Sequence, residues 1–182
     1  TGRDAEAVAA AYDFPNVRSV VDVGGGFGAL LTSALRQNDR LRGVLFDLEH
    51  VIAQARTRFD ERLAARVEFT PGDFFKSIPS GHDLYVMKYI LHDWNDERSR
   101  AILSTARSAM SGQAKLLVVE NLVSPPNQPG GKVGDVFMLV RTGGRNRTEQ
   151  EYRSLLASGG FDTTRVIPTG TALSIIEAVP RN

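Results

Sequence analysis

The sequence predicts an α/β domain with a mostly parallel sheet, and three observations lead to this prediction. From Arg18 onward, short apolar runs alternate with segments of helical periodicity, which is typical of βαβ units. A glycine-rich turn follows the first apolar run, and acidic residues follow the next two. The 182 residues, of which 42% are hydrophobic and 24% charged, suit one globular domain over residues 1–182.

Seven apolar runs are the strand candidates. In chain order they are Ser19–Val23, Gly43–Phe46, Val67–Phe69, Leu84–Met87, Lys115–Val119, Thr164–Ile167 and Ala172–Ala178. Their lengths and flanking turn residues are those of strands buried inside a sheet.

Stripes of apolar residues at helical spacing predict the helices that cover the sheet. One stripe comprises Val51, Ile52, Ala55, Phe59 and Leu63, and another comprises Ile102, Leu103, Ala106, Ala109 and Met110. Asn95 is a suitable N-cap for the later helix and Gly112 a suitable stop. A helix is also expected before the first strand, after the glycine turn and over Thr148–Ser158, while the Pro-rich segment at 124–131 is expected to be a surface crossover.

Charge and cysteine content narrow the possible functions. The 22 basic and 21 acidic side chains form no basic block, so the electrostatic footprint of a nucleic-acid-binding protein is missing. The chain has no cysteine, which excludes a disulfide framework and a thiolate metal site, and we expect no metal. No apolar run approaches the roughly 18 residues of a membrane span, and no signal-peptide pattern opens the chain. We therefore expect a cytoplasmic protein without nucleic-acid or membrane partners.

The segment VVDVGGGFGALL, residues 20–31, predicts a ligand site between the first strand and its helix. Asp47 follows 25 residues after Asp22, at the end of the next strand, where an acid can accept hydrogen bonds from ribose hydroxyls. The glycine spacing is G-x-G-x-G, tighter than the G-x-G-x-x-G of dinucleotide sites. Asp22 would repel a phosphate and favour an ammonium group. A turn that serves only strand-helix packing is the alternative.

Two later segments place more polar side chains at the same sheet edge. In GDFF, residues 72–75, Asp73 and Phe74 could hold the amine and the face of a purine, although Gly-Asp is equally a turn.

The segment MKYILHDWNDE, residues 87–97, places Lys88, His92 and Asp93 between a strand and a helix. His92 has the side chain best suited to proton abstraction near neutral pH. Glu120, at the end of the fifth strand, could orient its ring and raise its basicity, or could be an exposed acid.

Together these segments resemble the class I S-adenosylmethionine-dependent methyltransferases, and most closely the catalytic domain of small-molecule O-methyltransferases of the caffeic-acid and hydroxyneurosporene type. The match runs in order through DVGGGFG, LFDLEHV, GDFF, KYILHDWNDE, VVEN, DVFML and GGRNRT. Each motif is weak alone, but seven in order are specific. The resemblance implies a Rossmann-like methyltransferase fold with a mostly parallel seven-stranded sheet, an antiparallel C-terminal strand and helices on both faces.

The resemblance also implies residue roles. The expected contacts of the cofactor S-adenosylmethionine are Asp22, Gly24, Gly26, Asp47, Leu48, Asp73, Phe74 and Lys88. The expected catalytic residues are His92 as general base, Glu120 holding its ring, and Asp93. The residues expected near a hydroxylated small-molecule acceptor are Asp135, Met138 and Asn146.

Two departures from the family pattern matter. Where the family often has Gly-Gly-x-Glu-Arg-Thr, this sequence has GGRNRT, so Asn146 replaces an acid that would support the histidine. An asparagine can accept a hydrogen bond but brings no charge, and His92 is then a weaker base. The family also has an N-terminal helical domain that dimerises and closes over the acceptor site. We expect a homodimer where that domain is present, and a chain starting at Thr1 that binds cofactor yet is inactive alone.

The leading hypothesis is an S-adenosylmethionine-dependent O-methyltransferase that acts on a phenolic hydroxyl of a secondary metabolite. One alternative is a family member that methylates nitrogen or keeps the cofactor only as a structural ligand. Others are an NAD-dependent oxidoreductase, which would need the longer glycine spacing, and a non-catalytic binding module.

Overall fold

One sheet forms the centre of the computed structural model, which describes residues 2–14, 17–123 and 145–181. Its strands are β1 (Ser19–Val23), β2 (Arg42–Asp47), β3 (Val67–Pro71), β4 (Leu84–Lys88), β5 (Lys115–Asn121), β6 (Phe161–Pro168) and β7 (Leu173–Pro180). Their order is β3-β2-β1-β4-β5-β7-β6. Neighbours from β3 to β5 are parallel, whereas β7 is antiparallel to both β5 and β6. The predicted fold class is therefore confirmed.

Helices cover both faces of the sheet. They are α1 (Gly2–Ala11), α2 (Ala29–Gln37), α3 (Glu49–Arg58), α4 (Glu61–Ala64), α5 (Asp96–Ala109) and α6 (Glu149–Ser158), with a 3-10 turn at Leu91–Asp93. One core lies between the sheet and α1 to α4, and the other between the sheet and α5 and α6. Adjacent residues of β1 show the division, because Val20 belongs to the first core and Val21 to the second. Burial on both faces explains why the strands read as continuous apolar runs.

The stripe from Val51 to Leu63 forms two helices, not one. α3 ends at Arg58, and Phe59 is extended at φ −75° and ψ 145°. The Asp60 carboxylate then accepts a hydrogen bond from the Arg62 amide and caps α4. An acid at this position stabilises a new helix start more than continuation of the old helix.

Side-chain caps begin the later helices, and the predicted cap at Asn95 is confirmed. Asn95 caps α5 by accepting from the Arg98 amide, and Thr148 caps α6 in a capping box with Glu151. α5 ends at Ala109, with Met110 as its C-cap, which is earlier than the predicted stop at Gly112.

Parallel pairing brings the carboxyl ends of the central strands to one edge of the sheet. Val23 pairs with Phe46, Asp47 with Pro71, and Lys88 with Val119. The segments that follow these strands therefore meet at this edge, where ligands bind in open α/β sheets. The Pro-rich segment, Asp135 and Met138 lie outside the described residues. No helix in the described ranges is long and apolar enough to cross a bilayer.

Candidate active site

The glycine turn after β1 leaves an open space at the sheet edge. Gly24 and Gly26 have left-handed φ angles of 65° and 59°, which glycine adopts without steric cost. The Gly24 amide donates to the Phe46 carbonyl at 2.8 Å, which joins the turn to β2. A Cβ on Gly24 would lie 2.5 Å from Ile90 Cδ1, whereas a Cβ on Gly26 would meet no atom within 4 Å. Side chains therefore pack against the turn at Gly24, whereas the space beside Gly26 is free of atoms of the described residues.

Asp47 holds this turn from the end of β2. Its Oδ2 accepts from the Gly26 amide at 2.8 Å and its Oδ1 from the Leu48 amide at 2.7 Å. Each carboxylate oxygen can accept a further hydrogen bond from a ligand. Leu48 beside it is 47% exposed. Asp47 and Leu48 therefore offer a polar and an apolar contact beside the open space.

Asp22 lies beneath the turn and is buried. A Cβ on Gly25 would lie 2.6 Å from Asp22 Cγ, so the carboxylate touches the turn from below. Its Oδ2 is buried with no hydrogen-bond partner among the described residues. Burial raises the pKa of Asp22 to about 6, although the positive charge of Lys88 acts to lower it. A buried carboxylate with an unused acceptor favours an approaching cation.

The GDFF segment lies beside the glycine turn. The Gly72 amide donates to the Asp47 carbonyl at 2.9 Å, which brings Asp73 next to the ligand space. Asp73 Oδ1 accepts from the Phe75 amide, and the Phe74 ring lies 3.5 Å from the Cβ position of Gly24. The structure therefore brings Asp73 and Phe74 together with the turn. The Nζ of Lys88 lies 4.4 Å from the centroid of the neighbouring Tyr89 ring, and its charge acts on Asp22 beneath the turn.

His92 and Glu120 form a hydrogen-bonded pair at the same edge. His92 Nδ1 lies 2.7 Å from Glu120 Oε2. Glu120 is fully buried, and its Oε1 accepts from the backbone amides of Leu91 and His92 at 3.0 and 3.3 Å. An ionised carboxylate can only accept, so this contact places the proton on Nδ1 and leaves Nε2 free to accept one. Glu120 is thus no exposed acid.

Asp93 lies on the other side of the His92 ring. Its Oδ1 is 3.4 Å from His92 Nε2, and its side chain is 43% exposed. Burial lowers the pKa of His92, but the hydrogen bond and charge of Glu120, with the charge of Asp93, outweigh burial and raise it above 6.5. Glu120 and Asp93 therefore make the His92 imidazole more basic, at the same sheet edge as the glycine turn.

The structure shows two residues here that sequence reasoning missed. Arg147 is fully buried and bonds the backbone on both sides of His92 and Asp93. Tyr89 has a left-handed φ of 59°, and its ring centroid lies 5.2 Å from that of His92. Strained backbone of this kind occurs mainly at functional sites. The only sequence signal for these two residues was that Tyr89 lies in the motif KYILHDWNDE and Arg147 in the motif GGRNRT.

The expected acceptor residues are only partly described. Asn146 is half-buried and directly precedes Arg147, whose backbone pairs with Leu122 after β5. Asp135 and Met138 lie outside the described residues. Within the described ranges, no group of three or more acidic or histidine side chains could hold a metal ion.

Comparison with known proteins shows the family to which the chain belongs. The family described as the O-methyltransferase domain matches residues 4–162, which is most of the chain. This chain belongs to the O-methyltransferase domain family. It is 42% identical to phenazine O-methyltransferase PhzM of Lysobacter antibioticus, over 99% of this chain and 53% of that protein.

Other relatives of this O-methyltransferase domain come from Streptomyces. O-demethylpuromycin-O-methyltransferase of Streptomyces alboniger is 46% identical over 93% of this chain and 47% of that protein. The 3-amino-4-hydroxybenzoate 4-O-methyltransferase of Streptomyces cremeus is 40% identical over 89% of this chain and 46% of that protein. The chain spans about half the length of these curated relatives.

Two solved structures are informative for this O-methyltransferase domain. NcsB1 from neocarzinostatin biosynthesis was solved with S-adenosylmethionine and 2-hydroxy-5-methyl naphthoic acid. It has a TM-score of 0.87 and 34% identity, over 95% of this chain and 52% of that one. RosA of Streptomyces davawensis is an N,N-8-amino-8-demethyl-D-riboflavin dimethyltransferase. It has a TM-score of 0.86 and 34% identity, over 98% of this chain and 54% of that one.

Proposed function

We propose that this chain is the catalytic domain of an S-adenosylmethionine-dependent O-methyltransferase that acts on a phenolic hydroxyl of a small secondary metabolite. The observation that carries the proposal is that the His92–Glu120 pair and the Gly26–Asp47 turn lie at one sheet edge. The glycine turn provides a space for the cofactor, and the His92–Glu120 pair provides a base. A homodimer in the cytoplasm belongs to the same proposal.

The residues around the glycine turn fit the proposed cofactor. When bound, S-adenosylmethionine supplies an activated methyl group on a sulfonium sulfur. Asp22 offers a buried, unused carboxylate oxygen that suits a cationic ligand. Asp47 can accept from ribose hydroxyls, Leu48 offers an exposed apolar surface, and Asp73 and Phe74 suit the amine and face of adenine.

His92 would remove the proton of the acceptor hydroxyl. With Nδ1–H donating to Glu120, the lone pair of Nε2 is available to the acceptor. Glu120 stabilises the imidazolium that then forms, and its two backbone hydrogen bonds keep it in place. Positioning of the acceptor and this one base are the chain's contributions to the transfer.

Nitrogen methylation is a second candidate, favoured by the similarity to RosA. A neutral amine already presents a lone pair, so attack needs no base beforehand, whereas a phenol must lose its proton. The buried Glu120 and the raised pKa of His92 therefore favour the hydroxyl as acceptor.

The test uses an acceptor that carries both an amino group and a phenolic hydroxyl group. We would incubate the full-length protein with trideuteromethyl-labelled S-adenosylmethionine and 3-amino-4-hydroxybenzoate, and in parallel with 2-hydroxy-5-methyl naphthoic acid. Mass spectrometry is expected to show one added methyl group on oxygen in at least one product. His92→Ala should lower kcat about 10²- to 10⁴-fold, the usual contribution of a general base. The exposed His50→Ala is the control and should keep the rate. Label on nitrogen, or an unchanged rate in His92→Ala, would contradict the proposal.

A further inference from the structure

Arg147 is a fully buried cation that the proposed reaction does not use. Its Nη1 donates to the Leu91 carbonyl and its Nη2 to the Trp94 carbonyl, both at 2.9 Å. These two carbonyls flank His92 and Asp93. Arginine is almost never fully buried unless its donors are matched, and here they are matched by the turn that carries the histidine.

Further contacts join this side chain to the start of α5 and the end of β5. Its Nε and Nη2 both donate to Asp96 Oδ1, at 3.1 and 2.8 Å, and hydrogen bonding to Arg147 lowers the pKa of Asp96. Ser99 Oγ reaches the same two carbonyls at 3.3 Å. The Val123 amide donates to the Arg147 carbonyl at 3.2 Å, just beyond the strand that carries Glu120. The residue thus connects the strand of Glu120 to the turn of His92.

We propose that Arg147 is a positioning residue for methyl transfer, which holds the backbone on both sides of His92 and Asp93 so that the imidazole keeps its alignment with Glu120. The inference rests on the proposed function, because this alignment matters for rate only if His92 is the base. A shift of about 1 Å in such a group can lower a rate by up to about 100-fold.

The charge of Arg147 also acts on the imidazole. Among the described residues, the titratable groups that face His92 are Glu120 from β5, Asp93 from the same turn and Tyr89, which directly follows β4. Burial lowers the pKa of His92, the two carboxylates raise it, and the charge of Arg147 lowers it. Loss of the arginine should therefore raise the pH at which His92 becomes a base.

The experiment measures both effects in the full-length protein. The His92 ring signal, identified by its loss in His92→Gln, is titrated by NMR after histidine labelling. kcat is measured with 3-amino-4-hydroxybenzoate. Arg147→Met removes both the charge and the guanidinium donors, whereas Arg147→Lys keeps the charge but not the guanidinium geometry. Arg145→Met is the control, since Arg145 is 45% exposed and pairs with the same Asp96.

In Arg147→Met we expect the His92 ring to titrate at higher pH than in the wild type. This variant should also lose roughly 10- to 100-fold in kcat, with KM for S-adenosylmethionine unchanged. Arg147→Lys should lose kcat while its titration stays close to that of the wild type. Arg145→Met should change neither. A folded Arg147→Met with wild-type kcat and a wild-type His92 titration would overturn the inference. An equally large shift of the His92 titration in Arg145→Met would also overturn it. If the methionine variant does not fold, full kcat in Arg147→Lys overturns it.

The proposed function can fail separately. A wild-type protein that methylates neither acceptor contradicts the proposed function. In that case the His92 ring signal still tests the hold of Arg147 on the His92 turn: a displaced signal in Arg147→Lys, which keeps the charge, would support it, and wild-type ring signals in both Arg147 variants would overturn it.

Discussion

At the scale of single residues, two carboxylates at the site have different tasks because their surroundings differ. Glu120 is buried, but it accepts hydrogen bonds from two backbone amides and the His92 ring. Asp22 is equally buried, yet one of its oxygens has no partner among the described residues. Glu120 is therefore satisfied without a ligand, whereas Oδ2 of Asp22 leaves an acceptor that a ligand can use.

This difference predicts a measurable gain of stability in Asp22→Asn. The pKa of Asp22 is raised from 3.8 to about 6, so the folded state binds a proton more tightly than the unfolded state. The free energy of unfolding of the ligand-free protein should then fall as pH rises through this interval. Asp22→Asn removes that dependence and should be about 3 kcal/mol more stable than the wild type above pH 6.

Urea unfolding across the interval checks this expectation. The exposed Asp39→Asn is the control and should keep the wild-type pH dependence. The Asp22 variant should also bind S-adenosylhomocysteine more weakly, because a carboxylate under the turn is lost. Equal pH dependence in wild type and Asp22→Asn would show that this acid is not the destabilised group.

At the scale of elements, the turn between β1 and α2 provides a test of the ligand space. Gly26 and Gly81 both have a left-handed φ, of 59° and 86°, and a Cβ on either would meet no atom within 4 Å. Alanine at either position should cost about 1 to 2 kcal/mol of stability. Only Gly26 lies against Asp47, since Gly81 precedes β4 at the opposite end of the sheet.

Gly26→Ala should therefore lose affinity for S-adenosylhomocysteine, whereas Gly81→Ala should keep it at a similar melting temperature. Calorimetric titration and thermal unfolding of both variants measure the two effects. Equal affinities would mean that the open side of Gly26 does not face the cofactor.

Elements could be predicted from sequence where burial alone determines the pattern. β1, β4 and β5 are buried on both faces, so an apolar run identifies each of them. The break between α3 and α4 was missed, because Phe59 and Leu63 continue the apolar stripe by spacing, whereas Asp60 between them caps a new helix through the Arg62 amide. The residues alone left Glu120 either an orienting or an exposed acid, and the family resemblance implied that it meets His92. Arg147 could not be predicted, because only the fold shows which arginine is buried against a turn.

At the scale of the whole molecule, topology creates the site. Strand β1 lies between β2 and β4 in the sheet, although α2 separates β1 from β2 in sequence and α3, α4 and β3 separate β2 from β4. Their parallel direction places the glycine turn, Asp47 and His92 at one edge, and β5 adds Glu120 beside them. Two cores hold this edge from opposite faces. Asp135 and Met138, the residues expected near the acceptor, lie outside the described residues, so the direct test concerns the cofactor side.

The most direct test of the account is calorimetric titration of the folded wild-type protein and of Asp47→Ala with S-adenosylhomocysteine, with NAD as competitor. We expect one molecule bound per chain, no competition by NAD, and affinity about 10- to 100-fold weaker in Asp47→Ala, since hydrogen bonds to a carboxylate are lost. No binding to the folded wild type, or equal affinity in the two proteins, would contradict the assignment of this sheet edge to S-adenosylmethionine.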